Sequence, residues 1–145
     1  MDWFVEPTMG NRLLARILDT LVLSPAIIVG LVLGDNAMGA AVPLMVEAAY
    51  ETLMVATRGT TIGKRAMKLR VATMHAGERP TLEQSFLRWL IPSVGGIASI
   101  FVAAAADWDL LYTVVVLLPI LQRPYHRGIH DHGAGTVVTA TASRT

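Results

Sequence analysis

Leu13 to Leu33 is an almost unbroken apolar run in which only Arg16 and Asp19 carry charge. In lipid this run is an ordinary span, because about 20 apolar residues of helix cross the hydrocarbon core. A surface helix of a soluble protein keeps a polar face, and the later run Ile97 to Ala106 has none. Three further segments follow, at about 40–57, 89–106 and 108–125. The last is weaker, with an apolar core from Leu110 to Leu121 flanked by Trp108 and Tyr125. Backbone polar groups inside a bilayer must be satisfied within the segment, which selects helices. Gly34-Asp35-Asn36-Ala37-Met38-Gly39 separates the first two segments, and Asp107-Trp108-Asp109 the last two. Such short polar breaks join neighbouring helices. The expected fold is therefore all-α: a polytopic membrane protein with four transmembrane helices in two hairpins, one domain over residues 1–145.

Composition agrees, since 53% of the residues are hydrophobic and 16% charged, against about 25% charged in soluble domains. With no cysteine in the chain, disulfides, thiolate metal sites and a cysteine nucleophile are excluded. The acidic start, Met1-Asp2-Trp3-Phe4-Val5-Glu6-Pro7, lacks the basic region of a cleavable signal peptide, so the first helix is expected to be retained. All 12 Lys and Arg lie before Ile17, within 58–88, or after the apolar core of the fourth segment. The two short loops carry only Asp35, Asp107 and Asp109. The positive-inside rule then places both termini and the loop 58–88 in the cytoplasm, as in a multi-pass protein of an inner membrane.

That loop reads as structured. Thr61 to Arg70 alternates apolar residues with Lys64, Arg65, Lys68 and Arg70, which suits an amphipathic helix lying on the headgroups. These basic residues are expected to face anionic lipid, at about 1 kcal/mol each near the surface. Val71-Ala72-Thr73-Met74 reads as extended, and Thr81 with Gln84 as a capping box that starts the next helix.

Charge inside the apolar segments is the candidate function. Counting from Arg12, Asp19 lies about 10 Å into the membrane at ~1.5 Å per residue. Counting from Arg58, Glu51 lies at a similar depth and Glu47 one turn deeper. Arg16 with Asp19, and Glu47 with Glu51, each share a helix face. Intramembrane charges are functional candidates by default. One reading is a cytoplasm-facing cavity that exchanges protons or small cations on Asp19, Glu47 and Glu51, with Arg16 as counter-charge. The other is ion pairing that fixes helix packing.

His126 and His130 have the i, i+4 spacing of metal ligands, but Gly128 weakens a helix there and no third ligand is evident, so no metal is expected. Gly59-Thr60-Thr61-Ile62-Gly63-Lys64 is one residue short of a phosphate loop. No catalytic set, cofactor motif or nucleic-acid motif is present, and the chain is not expected to be an enzyme.

Arg12 and Asp19 in Arg12-Leu13-Leu14-Ala15-Arg16-Ile17-Leu18-Asp19, and Asp131 before Gly133-Ala134-Gly135-Thr136-Val137-Val138, form an ordered pattern. Tyr50, Thr61-Ile62-Gly63-Lys64, Leu69-Arg70-Val71, Gly77 and Arg88 fall between them. The chain in this respect resembles the RDD family of bacterial membrane proteins, named for one arginine and two aspartates. The resemblance implies a polytopic protein of poorly defined role, with transport of unidentified ligands, and cation/proton exchange for some members. The leading expectation is a small cation/proton transporter or transporter component. The alternative is a non-transporting accessory or assembly subunit of a larger membrane complex. A homo-oligomer would serve either, given small residues at Gly95, Gly96, Ala98 and Ser99 that allow close helix contact. Arg12 or Arg16 is expected to pair with Asp131 and clasp the first helix to the chain end.

Overall fold

The computed structural model describes residues 3–34, 36–101, 111–112, 114–116 and 127–141. Helix α1 spans Met9–Leu33, and its N-cap Thr8 accepts from the Asn11 N–H. Helix α2 spans Ala37–Arg58, where the Asn36 side chain accepts from the Met38 and Gly39 N–H groups. Each cap satisfies donors that the first turn leaves without intrahelical partners. At ~1.5 Å per residue both helices exceed the ~30 Å hydrocarbon thickness. Among the described residues these are the two helices long and apolar enough to cross a membrane. Their apolar side chains are largely unburied: Leu21, Ile28, Leu31 and Val32 are all exposed, as lipid-facing positions are. The two helices meet closely near their turn, where a Cβ on Gly30 would lie 2.6 Å from the Gly39 carbonyl oxygen.

Gly59, at φ 68°, ends α2 and its N–H returns to the Val55 carbonyl. Helix α3 (Ile62–Ala66) follows, then strand β1 (Leu69–Thr73). Helix α4 spans Leu82–Phe101, opened by a reciprocal cap: Thr81 N–H donates to Gln84 Oε1 and Gln84 N–H to Thr81 Oγ1. Helix α5 (Ile129–Gly133) and strand β2 (Thr136–Ala140) close the described chain. The strands pair antiparallel, Leu69 opposite Ala140 and Thr73 opposite Thr136. Val5 extends this ladder, accepting from the Ala140 N–H at 2.9 Å. The buried apolar core gathers here, with Leu69, Val71 and Val138 of the sheet against Ala15 of α1 and Val55 of α2.

Several expectations need correction. The fold is mostly helical but not all-α, because β1 and β2 form a sheet. The amphipathic helix expected over Thr61 to Arg70 stops at Ala66: Lys68 takes φ 54°, which turns the chain into β1. The third apolar segment, by contrast, continues the helix that the Thr81–Gln84 capping box was expected to open, beginning at Leu82. The fourth segment lies mostly outside the described residues, as do 102–106. Leu111, Tyr112 and 114–116 are helical, and the Tyr112 hydroxyl donates to the Ile91 carbonyl at 2.6 Å. Gly96 faces α2, with a Cβ position 3.6 Å from Leu44, so this small residue serves a contact within the chain.

Candidate functional site

Asp19 is a buried carboxylate, 2% exposed, on the inner face of α1. Its Oδ1 accepts from the Tyr50 hydroxyl at 2.7 Å and the Gly63 N–H at 2.8 Å. Its Oδ2 accepts from the Thr61 hydroxyl at 2.6 Å. The Tyr50 oxygen in turn accepts from the Ile62 N–H at 2.9 Å. Asp19 thus gathers the first turn of α3 and ties it to the middle of α1 and α2. Three donors on one carboxylate fix its position from several sides at once.

A second group of charges lies beside it. Arg16 donates to Glu47 at 2.9 Å and to Glu51 at 3.4 Å. Lys64, on α3, reaches Glu51 at 3.1 Å and Asp19 at 3.8 Å. Glu51 is nearly buried, whereas the Glu47 side chain is 23% exposed and Arg16 57% exposed. Arg16, Asp19, Glu47 and Glu51, the four residues singled out by depth along two helices, are therefore gathered in one place.

Asp131 forms the third group. It is buried at the start of α5 and makes an ion pair with Arg88 of α4, itself 5% exposed. Thr136 Oγ1 lies 3.2 Å from both partners, and His130 Nε2 is 3.5 Å from Oδ2. Burial, the largest single influence, would raise the Asp131 carboxyl, but Arg88, His130, the Thr136 hydrogen bond and Arg12 together hold it below the usual range. The direct partner of Asp131 is thus Arg88 rather than Arg12 or Arg16. The physical reason is placement: α5 folds back onto α4, while the Arg12 guanidinium donates to the Val138 carbonyl of β2 at 3.2 Å. Arg12 still acts on Asp131 through its charge.

One cavity of about 510 Å³ is bordered by the charged groups of all three sets, by Arg12, and by apolar Leu13, Leu44, Trp89 and Pro92. Lys64 requires a correction: it is 11% exposed and turned inward onto Glu51, not toward lipid, because Asp19 docks α3 against α1. Arg65 and Lys68 are exposed and Arg70 is half-buried. Sequence reasoning did not assign Lys64, Arg88, Tyr50 or Thr61 to the charged cluster; all four lie in the stretches carrying the family resemblance, which was the available signal. Among the described residues no His, Asp and Glu group is arranged for metal binding, and His126 lies outside them.

Burial pushes His130 down to about 4 from its ordinary 6.5, more than the attraction of Asp131 raises it, with Arg88 lowering it further. A depressed histidine makes the folded state bind fewer protons than the unfolded one. The stability it supports is complete above pH 6.5 and is lost as pH falls from there towards about 4. Thermal melts in detergent micelles at pH 7.5 and 5 should show this loss, and His130→Gln should flatten it. An unchanged slope in the variant would assign the pH response to other groups.

A family model described as the RDD family matches residues 6–135. No curated protein and no solved structure matches the chain.

Proposed function

Because the chain belongs to the RDD family, we propose that it is a multi-pass protein of the bacterial cytoplasmic membrane that exchanges small cations for protons, alone or as a transporter component. In this reading both termini face the cytoplasm and four helices form two hairpins, consistent with the placement of every Lys and Arg. The observation that carries the reading is the single cavity on which the ionisable groups of α1, α2, α3, α4 and α5 converge.

The pairing divides the labour. Asp19 is saturated by hydroxyl and backbone donors, so it positions α3 and does not exchange. Glu51 is held by Lys64 and Arg16. Glu47 is the accessible carboxylate, held by the exposed Arg16 alone among the described residues. With that one partner where Asp19 and Glu51 have several, Glu47 offers an arriving cation or proton the fewest bonds to displace. Arg16 then remains on Glu51, and the charge balance of the cavity is kept.

Proton flux from proteoliposomes of the purified protein, driven by a sodium or potassium gradient, tests this. Glu47→Gln should lower the flux by about tenfold or more, equivalent to ~1.4 kcal/mol, with little change in melting temperature. Wild-type vesicles that move no protons under any cation gradient would remove the transport reading. The accessory-subunit reading would then stand. Its support is that Asp19, Glu51 and Asp131 are each neutralised within the chain, as static packing requires.

A further inference from the structure

We propose that Arg58, Arg65 and Arg70 form a discrete phosphate-binding site that holds the headgroup of an anionic phospholipid. The three residues come from different elements, the last position of α2, α3 and β1, and border one pocket of about 300 Å³ with Thr60, Leu69 and Thr141. The pocket shares only Leu69 with the large cavity and does not depend on the transport reading.

Charge is the argument. Among the described residues no carboxylate borders the pocket. Among the described residues, none of the three arginines makes an ion pair; the Arg58 guanidinium touches the Met54 sulfur at 3.7 Å. Lys64 and Arg88, by contrast, are both matched to acids. Three cations around one small volume repel one another and favour an anion between them. Guanidinium groups match a phosphate in a two-pronged geometry that a lysine cannot reproduce. The folding of α3 back against α1, fixed by Asp19, is what brings Arg65 within the same pocket as Arg58.

Position identifies the source of the phosphate. Arg58 closes a 22-residue apolar helix that spans about 33 Å at ~1.5 Å per residue. The pocket therefore sits at the level of the headgroups, where basic pockets recruit acidic lipid. Leu69 supplies an apolar wall beside the charges.

The full-length protein in detergent micelles is titrated with dihexanoyl phosphatidylglycerol, dihexanoyl phosphatidylcholine or inorganic phosphate, and bound ligand is counted by native mass spectrometry. One phosphatidylglycerol per chain is expected, in preference to phosphatidylcholine. Arg65→Gln and Arg70→Gln should each weaken it about fivefold, from ~1 kcal/mol per basic group, with melting temperature unchanged. Lys68→Gln, equally basic and nearby but not bordering the pocket, should have no effect. Equal retention of the two lipids, or an equal loss in Lys68→Gln, would overturn the site. Saturation by inorganic phosphate that phosphatidylglycerol fails to displace would overturn the lipid as its source.

Discussion

Asp131→Ala is expected to destabilise the protein by about 3–5 kcal/mol, the usual cost of stranding one member of a buried ion pair. Arg88 is 5% exposed and Asp131 1% exposed, so water cannot take over the lost carboxylate. Arg88 would keep only the Thr136 hydroxyl at 3.2 Å, and its Nε has no partner among the described residues. The loss should spread beyond the pair. Asp131 fixes α5 to α4, and β2 continues directly from α5 to pair with β1. The double variant Arg88→Met/Asp131→Leu removes both charges while keeping bulk, and should recover most of the stability, because matched removal avoids the uncompensated charge. Melting curves in micelles for wild type, single and double variants measure this directly. A single variant as stable as wild type, or a double variant no better than the single, would show that the pair does not carry the packing of the chain end.

The parts of the fold legible in the sequence were those set by local chemistry. Periodicity and hydropathy located α1 and α2 because a lipid-facing helix must be apolar over a fixed length. The capping box at Thr81 located the start of α4, since that motif is read within four residues. The sheet was not legible at β2: Thr136–Ala140 is a short run whose partner, Leu69–Thr73, lies over sixty residues away. Pairing across that separation depends on the tertiary fold. The same holds for the charges. Depth along a helix brought Asp19 and Glu51 to one level with Glu47 a turn deeper, but could not say which cation meets which acid. Lys64 looked like a surface residue of an amphipathic helix. It turns inward because Asp19 captures the Thr61 hydroxyl and the Gly63 N–H, a contact spanning 44 positions. Asp131 was legible only through the family resemblance, and its partner Arg88 only as another member of that pattern.

The second large effect is expected at Gly63, where replacement by alanine should undo the docking of α3. Gly63 is buried in a helical turn pressed against α1, so space and not backbone freedom demands glycine. A Cβ here would collide with the Ala15 carbonyl oxygen and lie 2.8 Å from the Asp19 nitrogen and 2.9 Å from its Cγ. Two of those atoms belong to the backbone of α1, which cannot yield without breaking its own hydrogen bonds. Helix α3 must therefore lift away, and the Gly63 and Thr61 bonds to Asp19 and the Lys64 pair with Glu51 are lost with it. Hydrogen bonds to a charged group are worth about 1.5–3 kcal/mol each, so Gly63→Ala should cost at least ~3 kcal/mol. Thr61→Ser, which keeps the hydroxyl that donates to Asp19 and caps α3 and loses only a methyl group, should cost only about 1 kcal/mol. The ordering of the two is the test. It is measured as melting temperature in micelles, together with protease cleavage at Lys64 and Arg65, which should rise sharply in Gly63→Ala alone. If Gly63→Ala melts with wild type and stays uncut, α3 does not rest on α1, and the inward placement of Lys64 on which the charged cavity depends is wrong.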